Sequence, residues 1–186
     1  DSYDNLHLSY FDKVDYDLKY ATYDGSSWTD LIIDSAGNVG KYNSIAVDSN
    51  DDLHISYLDN SNGDLKYATY DGSSWKTSTV DDTGNVGFAR TSIEIDSNDD
   101  ISILYQANSE LNIVMQTDGS WSSPQSIDVP TGGEVGRAIS SDLDSNDKLR
   151  ISYKGNSVNK GGFGLFPHLM LGEEVARLGE LESQFG

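Results

Sequence analysis

Apolar and polar residues alternate in short bursts along most of this chain. Leu6-His7-Leu8-Ser9-Tyr10 reads apolar, polar, apolar, small, aromatic. The pattern returns as Leu53-His54-Ile55-Ser56-Tyr57, Ile101-Ser102-Ile103-Leu104-Tyr105 and Leu149-Arg150-Ile151-Ser152-Tyr153. Alternation with a period of two predicts strands with two distinct faces. The four segments start 47, 48 and 48 positions apart, so the strands belong to a repeat.

A second phrase confirms the period. Asp17-Leu18-Lys19-Tyr20-Ala21-Thr22-Tyr23-Asp24-Gly25-Ser26-Ser27-Trp28 returns, letter for letter, as Asp64 to Trp75, and in worn form from Leu111 to Trp121. Four strands are predicted in the unit from Asn43 to about Asp82: Ser44–Asp48, Leu53–Leu58, Leu65–Tyr70 and Trp75–Val80. The turns between them are rich in Asp, Asn, Ser and Gly, which tolerate turn geometry. Gly63 is placed where a positive φ is wanted. Gly37-Asn38-Val39-Gly40, Thr83 to Gly87 and Gly133-Glu134-Val135-Gly136 link the units. Four short antiparallel strands per repeat of this size predict an all-β fold, a β-propeller of four-stranded blades. A β-sandwich also has frequent turns, but it does not predict near-identical units.

The strand count is three, four, four and two, about three blades per chain over residues 1–155. The pattern opens on a second strand and ends its count on a lone innermost strand, Ser140 to Asp144, followed by one more. Propellers typically need four to eight blades. Two closures are open: a longer propeller of which this is a fragment, or a two-fold dimer. Strand exchange in such a dimer would use Ser140 and Leu143. The style then changes. Residues 156–166 read as a linker, and from Pro167 a helix is predicted over 167–186. Its stripe is Leu171, Val175, Leu178, Leu181 and Phe185. That amphipathic helix is expected to cap an exposed edge or make a dimer contact.

Composition narrows the partners. With 31 acidic and 12 basic residues the formal charge is -19. Such a field repels phosphate backbones and anionic membranes, so neither nucleic acid nor membrane is an expected partner. There is no cysteine, which excludes disulfides and thiolate metal sites. No apolar run approaches membrane-spanning length. An extracellular or cell-surface setting suits a module of this kind.

The stretch Thr69-Tyr70-Asp71-Gly72-Ser73-Ser74-Trp75 resembles a shortened Asp-box of sialidase-like propellers, and Thr22 to Trp28 and Gln116 to Trp121 repeat it. The strings Ser-Ile-Ala-Val-Asp-Ser-Asn and Leu-His-Ile-Ser-Tyr are similar to bacterial and archaeal propeller repeats of unassigned role. The resemblance implies a propeller over residues 1 to about 155 and a structural role for the Asp-box.

Sialidase chemistry, which the resemblance brings into question, uses three arginines around a carboxylate, a tyrosine–glutamate pair and an aspartic acid. This chain has Arg90, Arg137, Arg150 and Arg177. Arg90 and Arg137 precede first strands, as loop charges or ligand contacts. Tyr10, Tyr57, Tyr105 and Tyr153 recur in every unit, which suits packing, whereas catalysis needs asymmetry. No acid–base pair is marked out by spacing. His7 and His54 are equivalent and read as locally hydrogen-bonded strand histidines. Asp48 to Asp52, Asp96 to Asp100 and Asp144 to Asp147 lack calcium-loop spacing and need no metal as hairpin turns. Glu94 and Asp142 align with Ala46 on innermost strands; if that face lines a tunnel, the tunnel is acidic.

The remaining binding candidates are the turn aromatics Trp28, Trp75 and Trp121 with Tyr23 and Tyr70. They either anchor their blades or stack on sugar faces. The reading is a non-catalytic recognition or scaffolding module that closes by self-association, with a glycan or protein ligand and no cofactor. A sialidase-like hydrolase fragment and an architectural repeat without ligand are the alternatives.

Overall fold

The computed structural model describes residues 1–83, 85–86, 90–128 and 138–154. The expected linker 156–166 and helix 167–186 lie outside the described residues, as do Arg137, Leu171, Val175, Leu178 and Leu181.

Among the described residues every element is a β-strand, and the strands form four antiparallel sheets. The first holds β1 (Leu6–Phe11), β2 (Leu18–Tyr23) and β3 (Trp28–Asp34). The second holds β4 (Val39–Val47), β5 (Leu53–Asp59), β6 (Asp64–Tyr70) and β7 (Trp75–Asp81). The third holds β8 (Ser92–Ile95), β9 (Ile101–Ala107), β10 (Glu110–Thr117), β11 (Ser120–Trp121) and β12 (Gln125–Asp128). The fourth pairs β13 (Ser140–Leu143) with β14 (Leu149–Ser152). In the second sheet each strand pairs with the next in sequence, as short hairpin turns require. Tyr70 opposes both Leu53 and Trp75, and Ala68 opposes Ile55 and Thr77.

Two elements differ from the sequence reading. β4 begins at Val39, five residues before the expected Ser44, because the Gly-Asn-Val-Gly linker already pairs with β5 through two register shifts. In the third sheet the fourth strand is split. β11 and β12 both pair with β10, and Ser122-Ser123-Pro124 interrupts them. Proline has no amide to donate to the ladder.

The linkers sew each sheet to the next. The Val39 amide donates to the Tyr16 carbonyl, and the Val86 amide donates to the Gly63 carbonyl, in equivalent positions. The Asn38 and Asn85 carbonyls accept from Asn60 and Asn108. Gly40, at φ +94°, lies so close to β2 that a Cβ would sit 2.6 Å from the Leu18 Cα. Gly63 has the expected positive φ of 79°.

The core lies in the seams between sheets. Leu18 and Val39 pack with Ile55, Tyr57 and Ala68 in the first seam. Leu65 and Tyr67 pack with Ile93, Ile103 and Tyr105 in the second. Leu111 and Ile113 pack with Ile139, Leu149 and Ile151 in the third. On β4, Ile45 belongs to the first seam and Ala46 to the second. Strand alternation thus sends neighbouring residues into opposite seams. β13 is hydrogen-bonded to β14 of its own chain, Ser140 opposite Ser152 and Leu143 opposite Leu149.

Candidate functional site

Three kinds of contact recur at the seams, one repeat apart. The first joins hairpin turns. The Ser49 amide and hydroxyl donate to Asp99 at 2.9 and 2.6 Å. Ser97 does the same to Asp147 at 3.3 and 2.5 Å. Ser2 does so to Asp51, its amide at 2.7 Å. Within each turn the leading aspartate accepts backbone amides: Asp48 takes those of Asn50 and Asp52, both at 2.8 Å. Asp96 and Asp144 repeat the arrangement. These carboxylates are engaged by the chain's own donors. The described residues contain no cluster of three or more His, Asp or Glu side chains able to hold a metal ion.

The second contact ties a strand tyrosine to the preceding sheet. The Tyr57 hydroxyl donates to Asp34 at 2.7 Å, and the Tyr105 hydroxyl to Asp81 at 2.6 Å. Burial, reinforced by the facing carboxylate, pushes both hydroxyls far above their ordinary value. Burial alone would raise Asp34 too. The Lys66 ammonium, the Ala36 amide and Tyr57 outweigh it and hold that carboxyl low.

The third contact is aromatic. His54 Nδ1 meets the Tyr67 hydroxyl at 2.5 Å, and His7 Nδ1 meets Tyr20 at 2.6 Å. His7 Nε2 lies 2.9 Å from Asp1. His54 Nε2 lies 3.3 Å from Asp48, without hydrogen-bond alignment. Each tyrosine packs on a tryptophan of the following sheet, Tyr20 on Trp75 at 5.2 Å and Tyr67 on Trp121 at 5.1 Å between centroids. Burial pushes the Tyr67 hydroxyl up to about 12. The set resembles an acid–base relay in composition, but the two tyrosines are 6% and 5% exposed. Their hydroxyls are shut inside seams.

The third seam differs. Ser102 stands in the place of His54, and Ile113 in the place of Tyr67. Without the histidine and the tyrosine a cleft of about 100 Å³ opens, lined in part by Glu94, Asp96, Asp100, Ser102 and Met115. Glu94 accepts from the Ser141 hydroxyl at 2.8 Å across this seam. Glu94 thus lies in the third seam. Burial, with Asp142 nearby, raises its carboxyl despite the Ser141 hydrogen bond.

Turn aromatics sit at the rims of the seams. Asp24 accepts the Ser26 and Ser27 amides at 2.8 and 2.9 Å and the Ser26 hydroxyl at 2.8 Å, which holds its carboxyl at about 2. Asp71 repeats this with Ser73 and Ser74, and additionally accepts Lys76 Nζ at 2.7 Å. Tyr23 and Tyr70 donate back to the Gly25 and Gly72 carbonyls at 3.0 Å. Their rings lie 5.3 Å from Trp28 and Trp75. Trp75 and Trp121 are half-buried, while Trp28 is 56% exposed.

Tyr20, Trp75 and Tyr70 thus make a continuous aromatic row across the first seam, with the Asp71–Lys76 ion pair at its solvent end. Trp121 belongs to the next seam. Arg90 is exposed and apart from the aromatic row's own contacts, and Arg150 is paired with Asp144 at 2.5 Å. Lys41 stands over the Phe11 ring at 5.3 Å. Sequence reading did not single out Lys76. Its signal was a difference between otherwise identical copies: Thr29 follows Trp28, but Lys76 follows Trp75.

No protein-family model matches the chain, and no curated protein matches it in sequence. Solved structures do resemble it. AofleA from Arthrobotrys oligospora aligns with a TM-score of 0.61 at 14% identity, over 86% of this chain and 48% of that one. The NanB sialidase of Streptococcus pneumoniae aligns with a TM-score of 0.59 at 16% identity, over 82% of this chain and 26% of its own. A fucose lectin from Kordia zhangzhouensis, solved with methyl-fucoside, gives a TM-score of 0.48 at 14% identity, over 63% of this chain and 87% of its own. The chain therefore spans about half the length of AofleA. The likenesses to AofleA and NanB establish a propeller-like, all-β fold.

Proposed function

We propose that this chain is a non-catalytic recognition module that binds a neutral glycan and closes its propeller by self-association. The observation that carries the ligand reading is the Tyr70–Trp75 pair with Asp71 and Lys76 beside it. Sugar recognition needs an apolar ring face against the sugar's C–H face, with polar groups at its edge for the hydroxyls. The row supplies the first and the ion pair the second. Lys76 also gives this seam the asymmetry that a repeated packing residue lacks. The chain's charge of -19 disfavours anionic sugars such as sialosides. The acid-lined third seam works in the same direction.

The relay-like Asp–His–Tyr sets favour a structural role, since each recurs in register with its hydroxyl buried. Self-association is supported by the apolar face that the first sheet leaves exposed, with Leu6, Leu8, Trp28 and Ile32 each about half exposed.

A glycan array carrying neutral and sialylated oligosaccharides tests the ligand reading. Retention of neutral glycans is expected, with Lys76→Ala weakening the best hit roughly ten-fold, as loss of a charged hydrogen bond does. An array without hits would contradict it and favour a purely architectural repeat. Release of a fluorogenic sialoside's label would contradict it in favour of a hydrolase.

A further inference from the structure

The first sheet presents one half of a seam. In the later sheets the two apolar residues that open the equivalent of β1 are buried. Leu53 and Ile55 are 2% and 0% exposed, Ile101 and Ile103 are 2% and 0%, and Leu149 and Ile151 are 7% and 2%. Their counterparts on β1, Leu6 and Leu8, are 57% and 49% exposed. Sequence does not explain the difference, because every one of these residues is a leucine or an isoleucine. What differs is the sheet packed on that face.

The polar contacts agree. The first two seams have a facing side made of a turn aspartate, a strand tyrosine and a tryptophan: Asp51, Tyr57 and Trp75, then Asp99, Tyr105 and Trp121. On the first sheet these are Asp4, Tyr10 and Trp28. Asp4 has the positive φ of Asp51, Asp99 and Asp147, 62° against 64°, 64° and 58°. Its carboxylate is nonetheless met by no donor among the described residues, whereas each of the other three takes a serine. Lys19 makes the same point. Its equivalent, Lys66, reaches Asp34 across a seam, while Lys19 turns back to Asp12 in its own sheet.

The matching donor is at the other end of the molecule. Asp144-Ser145-Asn146-Asp147 forms the same turn as its predecessors, with the Asn146 and Lys148 amides on Asp144 at 2.9 and 3.1 Å. Ser145 occupies the position of Ser2, Ser49 and Ser97, and it is exposed. We infer that a second copy of this chain seats on the first sheet. Its Ser145 amide and hydroxyl engage Asp4, and its β13–β14 hairpin lies across Leu6 and Leu8. Applied both ways, the contact closes two copies head to tail. This inference rests on the self-association proposed above and replaces strand exchange through β13, which is already paired with β14, by packing of one face on another.

The absence of cysteine permits a clean test. The Asp4→Cys/Ser145→Cys double variant, oxidised in air, should run as a covalent dimer on a non-reducing denaturing gel. Either single variant should give at least about ten-fold less. The Ser49→Cys/Asp99→Cys variant, whose native side chains already touch within one chain, calibrates bond formation across a seam. A second variant, Leu8→Asp, changes an exposed residue. It should leave the circular dichroism unchanged while weakening the dimer at least about 100-fold, read by light scattering. A dimeric wild type that neither cross-links through these positions nor responds to Leu8→Asp would overturn the assigned face and leave self-association standing. A monomeric wild type would overturn both.

Discussion

Tyr57 is wholly buried, and its hydroxyl ends on Asp34 in the neighbouring sheet. Phenylalanine there would keep the ring and leave a buried carboxylate short of a donor. Tyr57→Phe is expected to cost about 1–3 kcal/mol, seen as a lower midpoint in urea. Tyr10→Phe, one repeat earlier, should cost the isolated chain almost nothing, because no described acceptor faces that hydroxyl. Glu94 gives a pH signature. Its carboxyl is raised above the ordinary 4.5 by burial and by Asp142. The unfolded chain therefore releases this proton first as pH rises. Glu94's contribution is full below about pH 4.5 and is lost as pH climbs through the folded-state value. Glu94→Gln should match wild type in melting temperature near pH 4 and exceed it near pH 7. An unchanged difference between the two would count against the burial argument. The His–Tyr pairing was not read from the sequence, since the partners stand 13 positions apart. The repeats did carry the signal: His7 and His54 occur with Tyr20 and Tyr67, and Ser102 occurs with Ile113.

At the scale of elements, the alternation of Leu53-His54-Ile55-Ser56-Tyr57 was enough to place β5 and, through the repeat, its equivalents. Turn chemistry placed the hairpins. The start of β4 was not legible. Its first residues lie in a glycine-containing linker whose strand character comes from pairing with β5, a tertiary effect. Gly40 shows how tight that linker is. Its φ of +94° and the 2.6 Å approach to the Leu18 backbone leave no room for a Cβ. At Gly72 a Cβ would meet nothing within 4 Å, although φ is +78°. Gly40→Ala should therefore destabilise by about 3 kcal/mol or more, through overpacking added to backbone strain. Gly72→Ala should cost about 1 kcal/mol from strain alone. Equal losses in thermal melts would show that the linker yields.

For the whole molecule, the repeat period pointed to a propeller, and the sheets packed in series through apolar seams agree with it. The candidate site was half legible. The turn aromatics were visible as repeated residues, but their burial depends on the next sheet, which no single unit encodes. Trp28 and Trp75 follow identical phrases, yet only Trp75 has a tyrosine from a preceding sheet to pack on. The same comparison makes the first sheet a seam waiting for its other half. Light scattering behind a sizing column measures this directly. A mass of twice the 20.3 kDa chain is predicted at micromolar concentration, and a mass of 20.3 kDa would contradict closure by a second copy.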